Sequence, residues 1–141
     1  MKILILSSNL SNEAGGYAES SFLLRERLDE IKNNDVYLLG FWKSKFLKLN
    51  YDLTDKINIF LPGLIKKFPI SYDYFNKIFT LRPQIIDIQG IWSSTSIFNL
   101  INHLIYKTPY IVTPRGMLER WALKQSYLKK KIFYFFVESI H

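Results

Sequence analysis

The sequence predicts an α/β domain built on a Rossmann-like open parallel sheet with helices on both faces. Three observations carry this. Short apolar runs alternate with helical patterns along the chain, the signature of βαβ units. The first run is continuously apolar, as a strand buried on both faces requires. No internal repeat or low-complexity linker divides the 141 residues, so residues 1–141 read as one domain, long enough for a real core.

The elements follow in order. Lys2 to Ser7 is an apolar run bounded by Ser and Asn, a first strand. A polar loop, Ser8 to Gly16, ends in a glycine pair. Tyr17 to Ile31 has apolar residues at 17, 18, 22, 24, 28 and 31, a helical stripe stopped by Asn33 and Asn34. Asp35 to Leu39 is a second strand closed by Gly40. Phe41 to Asp55 has no clean period and reads as a surface excursion. Lys56 to Leu61 is a third strand, ended by the turn pair Pro62-Gly63. Leu64 to Thr80 is helical in its second half, from Ser71, and Arg82-Pro83 breaks it. Ile85 to Gln89 is a fourth strand. Ser93, Ser94 and Thr95 offer N-caps for a helix to about Tyr106. Thr108-Pro109 ends that helix, Tyr110 to Thr113 is a fifth strand, and Met117 to about Val137 reads as one long basic helix. Right-handed crossovers favour the strand order 3-2-1-4-5. That order brings the loops after strands one, four and five together at the switch point, where such sheets bind ligands.

Composition narrows the function. The chain is 48% hydrophobic and 16% aromatic, which excludes a disordered protein. Its net charge of +7 and pI near 9.5 favour anionic partners. The lysines are scattered and no nucleic-acid motif accompanies them, so no nucleic-acid partner is expected. Absence of cysteine excludes a disulfide framework and a thiolate metal site and fits a reducing, cytoplasmic location. His103 and His141 lack ligand spacing, so neither a metal site nor a cofactor is expected. No run approaches the ~20 apolar residues of a membrane span. The start is too short in apolar residues for a secretory signal. The basic, aromatic stretch Lys129 to Val137 has two readings: peripheral contact with the inner, anionic face of a membrane, or packing against strands beyond the fragment.

Three turns carry the candidate residues. Gly15 and Gly16 allow a close ligand approach at a helix start, or form a plain flexible turn. Gln89 and Trp92 follow the fourth strand. An amide and an indole there suit a sugar, and the other reading has Trp92 packed under the next helix. Arg115 and Gly116 follow the fifth strand, where a guanidinium can grip phosphate or carboxylate, or pair weakly with Glu119 at the surface. Asp87 interrupts the fourth strand. With no visible partner to shift its pKa it reads as structural.

The stretch Thr113 to Lys124 (TPRGMLERWALK), followed by Lys129 to Lys131, resembles the segment S-P-[HR]-G-M-L-[ED]-P-W-A-L-K … K-K of family 4 glycosyltransferases of the two-Rossmann-domain, GT-B type. Gln89 to Trp92 (QGIW) is similar to their H-G-[LI]-W, with Gln where His is usual. Met1 to Ser7 with Gly15-Gly16 resembles their first strand and glycine loop. Arg120 stands where they have Pro. The resemblance implies the incomplete N-terminal, acceptor-side domain of a retaining glycosyltransferase. Such an enzyme moves a sugar from a nucleotide-sugar donor to a polysaccharide or lipid-linked acceptor, without a metal. It implies that Gly15 and Gly16 line the cleft near the donor phosphates, and that Gln89, Trp92, Arg115 and Gly116 line the acceptor side. The nucleotide-sugar domain and its E-x7-E glutamates lie outside residues 1–141, so no activity is expected of the chain alone. The alternative is a non-catalytic sugar- or phosphate-binding Rossmann-like module.

Overall fold

The computed structural model describes residues 1–43, 54–62 and 69–139. Most of the expected surface excursion, Gly63 of the expected turn and the first part of the 64–80 segment lie outside the described residues. Five strands form one parallel sheet: β1 (Lys2–Ser7), β2 (Asp35–Phe41), β3 (Ile57–Phe60), β4 (Ile85–Gln89) and β5 (Tyr110–Thr113). Their order is β3-β2-β1-β4-β5, every neighbouring pair parallel. This is the order expected from right-handed crossovers.

Strand β1 is central because both its faces are apolar: Leu4, Ile5 and Leu6 are fully buried. Period-two alternation sends them to opposite sides. Ile3 and Ile5 join Val36, Leu38, Leu10 and Phe22 beneath helix α1 (Gly16–Asp29). Leu4 and Leu6 join Leu39, Phe41, Ile86 and Ile88. That second face is covered by Tyr74 and Ile78 of α2 (Tyr72–Leu81) and Phe98 of α3 (Ser94–Tyr106). Tyr74 stacks on Phe41 with ring centroids 4.5 Å apart and meets Phe60 edge-on. Helix α2 starts from Ser71 as expected, and Ser71 caps it by accepting the Tyr74 N–H.

At the N-terminal edge of the sheet, Asp29 ties three elements together. Its Oδ1 accepts the Val36 N–H at 3.1 Å and meets Lys56 Nζ at 3.1 Å, and Arg25 holds Oδ2 at 2.9 Å. Lys56 also pairs with Asp35 at 3.0 Å. Burial pushes the Asp29 carboxyl up, but these donors outweigh it and the net shift is down.

Two expectations are corrected. Gly40 does not close the second strand: β2 runs on through Gly40 to Phe41, and Trp42 N–H bonds Phe60 C=O at 2.8 Å. The glycine is there because the chain leaving β1 crosses over it. A Cβ on Gly40 would lie 2.5 Å from Leu10 Cγ and 3.0 Å from the Ser7 carbonyl oxygen. The expected long C-terminal helix is also broken. It forms α4 (Arg120–Lys124), α5 (Tyr127–Phe133) and a π-helical turn, Tyr134–Glu138. Gln125 is extended and Ser126 takes φ 54°. Ser favours such turns over helix interiors, and the break lets the Lys130 ammonium reach the Ala122 carbonyl near the end of α4, which also accepts the Gln125 N–H.

Gly40→Ala is expected to destabilise the domain by about 1–3 kcal/mol, the cost of overpacking a tight site, read from the midpoint of urea unfolding. Adding Leu10→Ala, which removes the nearest side-chain atoms the new methyl meets, should recover part of the overpacking loss in a double-mutant cycle.

Candidate functional site

Parallel register decides where the strands end. Ser7 pairs with Gln89, and Gln89 with Thr113, so the chains leaving β1, β4 and β5 depart from one level. Two side chains lock these exits together. The Tyr17 hydroxyl, at the start of α1, donates to the Gln89 carbonyl and accepts the Ser8 N–H at 3.2 Å. Met117 folds back from the β5 turn, and its Sδ accepts the Ile91 N–H at 3.2 Å. Gly90, at φ 93°, makes room: a Cβ there would lie 2.9 Å from the Met117 methyl and 3.1 Å from the Tyr17 hydroxyl. The Gly90 N–H continues the ladder to the Thr113 carbonyl at 2.7 Å.

A polar chain crosses this edge. Asp87 and Gln89 share one face of β4. Gln89 Nε2 donates to Asp87 Oδ2 at 2.6 Å, and Thr113 Oγ1 donates to Asp87 Oδ1 at 3.2 Å. At the far end, Arg115 Nε donates to Gln89 Oε1. Gln89 is fully buried, whereas Arg115 is exposed. Burial pushes the Asp87 carboxyl up, opposed by the hydrogen bonds of Thr113 and Gln89 and the Arg115 charge. Asp87, read as structural from the sequence, therefore has partners that only the β4–β5 register supplies.

Backbone conformation marks the same edge. Gly15 (φ 55°), Gly90 (φ 93°), Trp92 (φ 60°), Arg115 (φ 53°) and Gly116 (φ 75°) all have positive φ. For Trp92 and Arg115 that is a strained choice which the surroundings must enforce. Elsewhere, Arg82 and Lys107 are ordinary left-handed helix ends.

The six expected residues divide. Gln89 and Arg115 touch directly. Gly116 sits in the turn that delivers Met117, whose N–H bonds the Pro114 carbonyl at 3.0 Å. Gly15 supplies the unusual backbone ahead of α1, while a Cβ at either Gly15 or Gly16 would meet open space. Trp92 turns elsewhere, its ring 6.5 Å from both Phe133 and Tyr134. It lines an apolar cavity of about 210 Å³ with Leu123, Tyr127, Lys130, Lys131 and Tyr134. Arg115 forms no ion pair with Glu119. Tyr17 and Met117 were not singled out from the sequence. Their signal was adjacency, since each directly follows a glycine of the expected turns. Among the described residues no group of acidic, His or Cys side chains could hold a metal, and no helix is long and apolar enough to cross a membrane.

No family model matches the chain, and neither curated proteins nor solved structures give a match. The geometry defines its class, an α/β domain with a five-stranded parallel, Rossmann-like sheet and a cluster of turns at its C-terminal edge.

A raised folded pKa means that ionised Asp87 opposes folding. The penalty is present in full at neutral pH and disappears as the pH falls below 3.8, the ordinary Asp value. Asp87→Asn should therefore melt higher than the parent at pH 7, and the gap should narrow towards pH 3. A gap that widens on acidification would contradict the assignment.

Proposed function

We propose that the chain is the acceptor-side, N-terminal part of a retaining glycosyltransferase of GT-B type. Its partners are a nucleotide-sugar donor, held by a further domain, and a polysaccharide or lipid-linked acceptor. One observation supports this above the others: the exits of β1, β4 and β5 are locked together by Tyr17 and Met117, with the amide of Gln89 and the guanidinium of Arg115 among them. Open α/β sheets bind their ligands at that edge. The exposed Arg115 guanidinium suits a polar group of such a ligand, while Tyr17 and the buried Gln89 hold the turns around it. The resemblance of residues 113–124 to family 4 enzymes points the same way.

A second reading, a sugar- or phosphate-binding module without catalysis, is favoured by Asp87. This carboxylate lies in the cluster, and both its oxygens are engaged by Gln89 and Thr113, which suits a fixed support more than a proton-transfer group. Peripheral membrane contact fits the C-terminal elements. Leu128, Ile132, Phe135 and Phe136 are 62–73% exposed, beside the exposed Lys131, the mix that an anionic interface takes up.

Titrating ¹⁵N-labelled protein with neutral oligosaccharides should shift the amides of Tyr17, Gln89 to Trp92 and Thr113 to Met117 together, and no others strongly. Unmoved amides across a panel of saccharides would remove both readings as sugar handling. The purified chain should show no transfer from any nucleotide sugar, and measurable transfer would end the fragment reading. Anionic vesicles should pellet the protein at low salt and release it at high salt. Equal pelleting with neutral vesicles would show plain apolar adhesion instead.

A further inference from the structure

The chain Asp87–Gln89–Arg115 has one chemically permitted direction. An ionised carboxylate only accepts hydrogen bonds and a guanidinium only donates them. An amide placed between them must turn its NH₂ to Asp87 and its oxygen to Arg115, as it does here. A flipped amide would set donor against donor and acceptor against acceptor. Gln89 is fully buried, so water does not relieve such a mismatch. Thr113 pins the other carboxylate oxygen, and the strained backbone of Arg115 at φ 53° starts its side chain from a fixed direction. Only Nε of the guanidinium is engaged. Its terminal nitrogens make no hydrogen bond or ion pair with any described residue, and the residue is exposed.

We propose that Asp87, through Gln89, holds the Arg115 guanidinium as a single-orientation clamp whose free terminal nitrogens bind an oxyanion of the ligand, a phosphate or a carboxylate, in fork geometry. Asp87 and Gln89 are positioning residues, and Arg115 makes the contact. The proposal deepens the reading of this turn cluster as a binding site, and it stands whether or not a sugar is attached to the anion. It also accounts for the amide at position 89: a charged imidazolium there would oppose Arg115 rather than orient it.

The test is a titration of the full chain with inorganic phosphate and, separately, acetate, followed by ¹H–¹⁵N spectra of the side chains. The Arg115 Nε–H signal should shift saturably, with the Gln89 NH₂ pair moving with it. Arg115→Gln should abolish saturation at the neighbouring backbone amides. Asp87→Asn, which removes the charged, acceptor-only group at one end of the chain, should weaken binding about tenfold, the scale of one charge-assisted hydrogen bond. It should also bring the two Gln89 NH₂ protons closer together in shift. A stronger response to phosphate assigns the ligand group to a phosphate, and the reverse to a carboxylate; both support the clamp. Absence of saturable shifts with either anion overturns it, as does unchanged affinity in Asp87→Asn. If that variant does not fold, Thr113→Val serves in its place, with a smaller weakening expected and unchanged affinity equally adverse. Anion binding without oligosaccharide shifts would sink the sugar reading and keep the clamp, and the converse result would do the opposite.

Discussion

Parallel pairing of β1 with β4, and of β4 with β5, is the constraint from which the rest of the molecule follows. Antiparallel neighbours would send successive exits to opposite ends of the sheet. Here every strand points the same way, and Ser7, Gln89 and Thr113 come level. That arrangement is affordable only because β1 is apolar on both faces and helices cover both. Burial at the centre thus determines what can meet at the edge.

The same alternation explains why β4 mixes roles. Ile86 and Ile88 face the layer of α2 and α3, while Asp87 and Gln89 face the side of α1. Helix α1 packs over β1 and β2, where Phe22 and Leu28 lie among Ile3, Ile5 and Val36. On that side of β5, Ile111 is 55% exposed. Asp87 and Thr113 on this half of the sheet therefore stay partly exposed, while Gln89 is fully buried. In β4, Ile86 and Ile88 join the core, while Asp87 and Gln89, past the reach of α1, join the polar chain.

Much of this was legible in the residues. Runs such as Lys2–Ser7 and Ile85–Gln89 gave strands at their observed bounds, because continuous apolar stretches between Pro, Gly and Ser leave few alternatives. Ser71 announced α2 and Thr108-Pro109 the end of α3. What failed was long-range in origin. Gly40 looked like a strand end, yet it is a clearance for Leu10, thirty positions earlier, and no local pattern encodes that approach. The helix expected over 117–137 had adequate helix formers throughout. Its interruption at Gln125 and Ser126 comes with a contact between Lys130 and Ala122 that propensity does not reveal. Trp92 was placed correctly at the β4 exit, but its direction is set by Phe133 and Tyr134, forty residues away in the chain. Asp87 reads as structural from the sequence, but the partners that hold it lie partly on another strand and are not visible there.

The strand order also shapes the molecule's birth. Of these five strands, β1 is made before the others yet lies in the middle of the order, and its second neighbour, β4, is among the later ones. At ordinary ribosomal speed, roughly 4 to 16 s separate synthesis of Ser7 from that of Gln89. For that interval the most apolar stretch of the sheet has one side without a mate. A nascent polypeptide arranged this way needs shelter, from the exit tunnel or a holdase, before its central ladder can close.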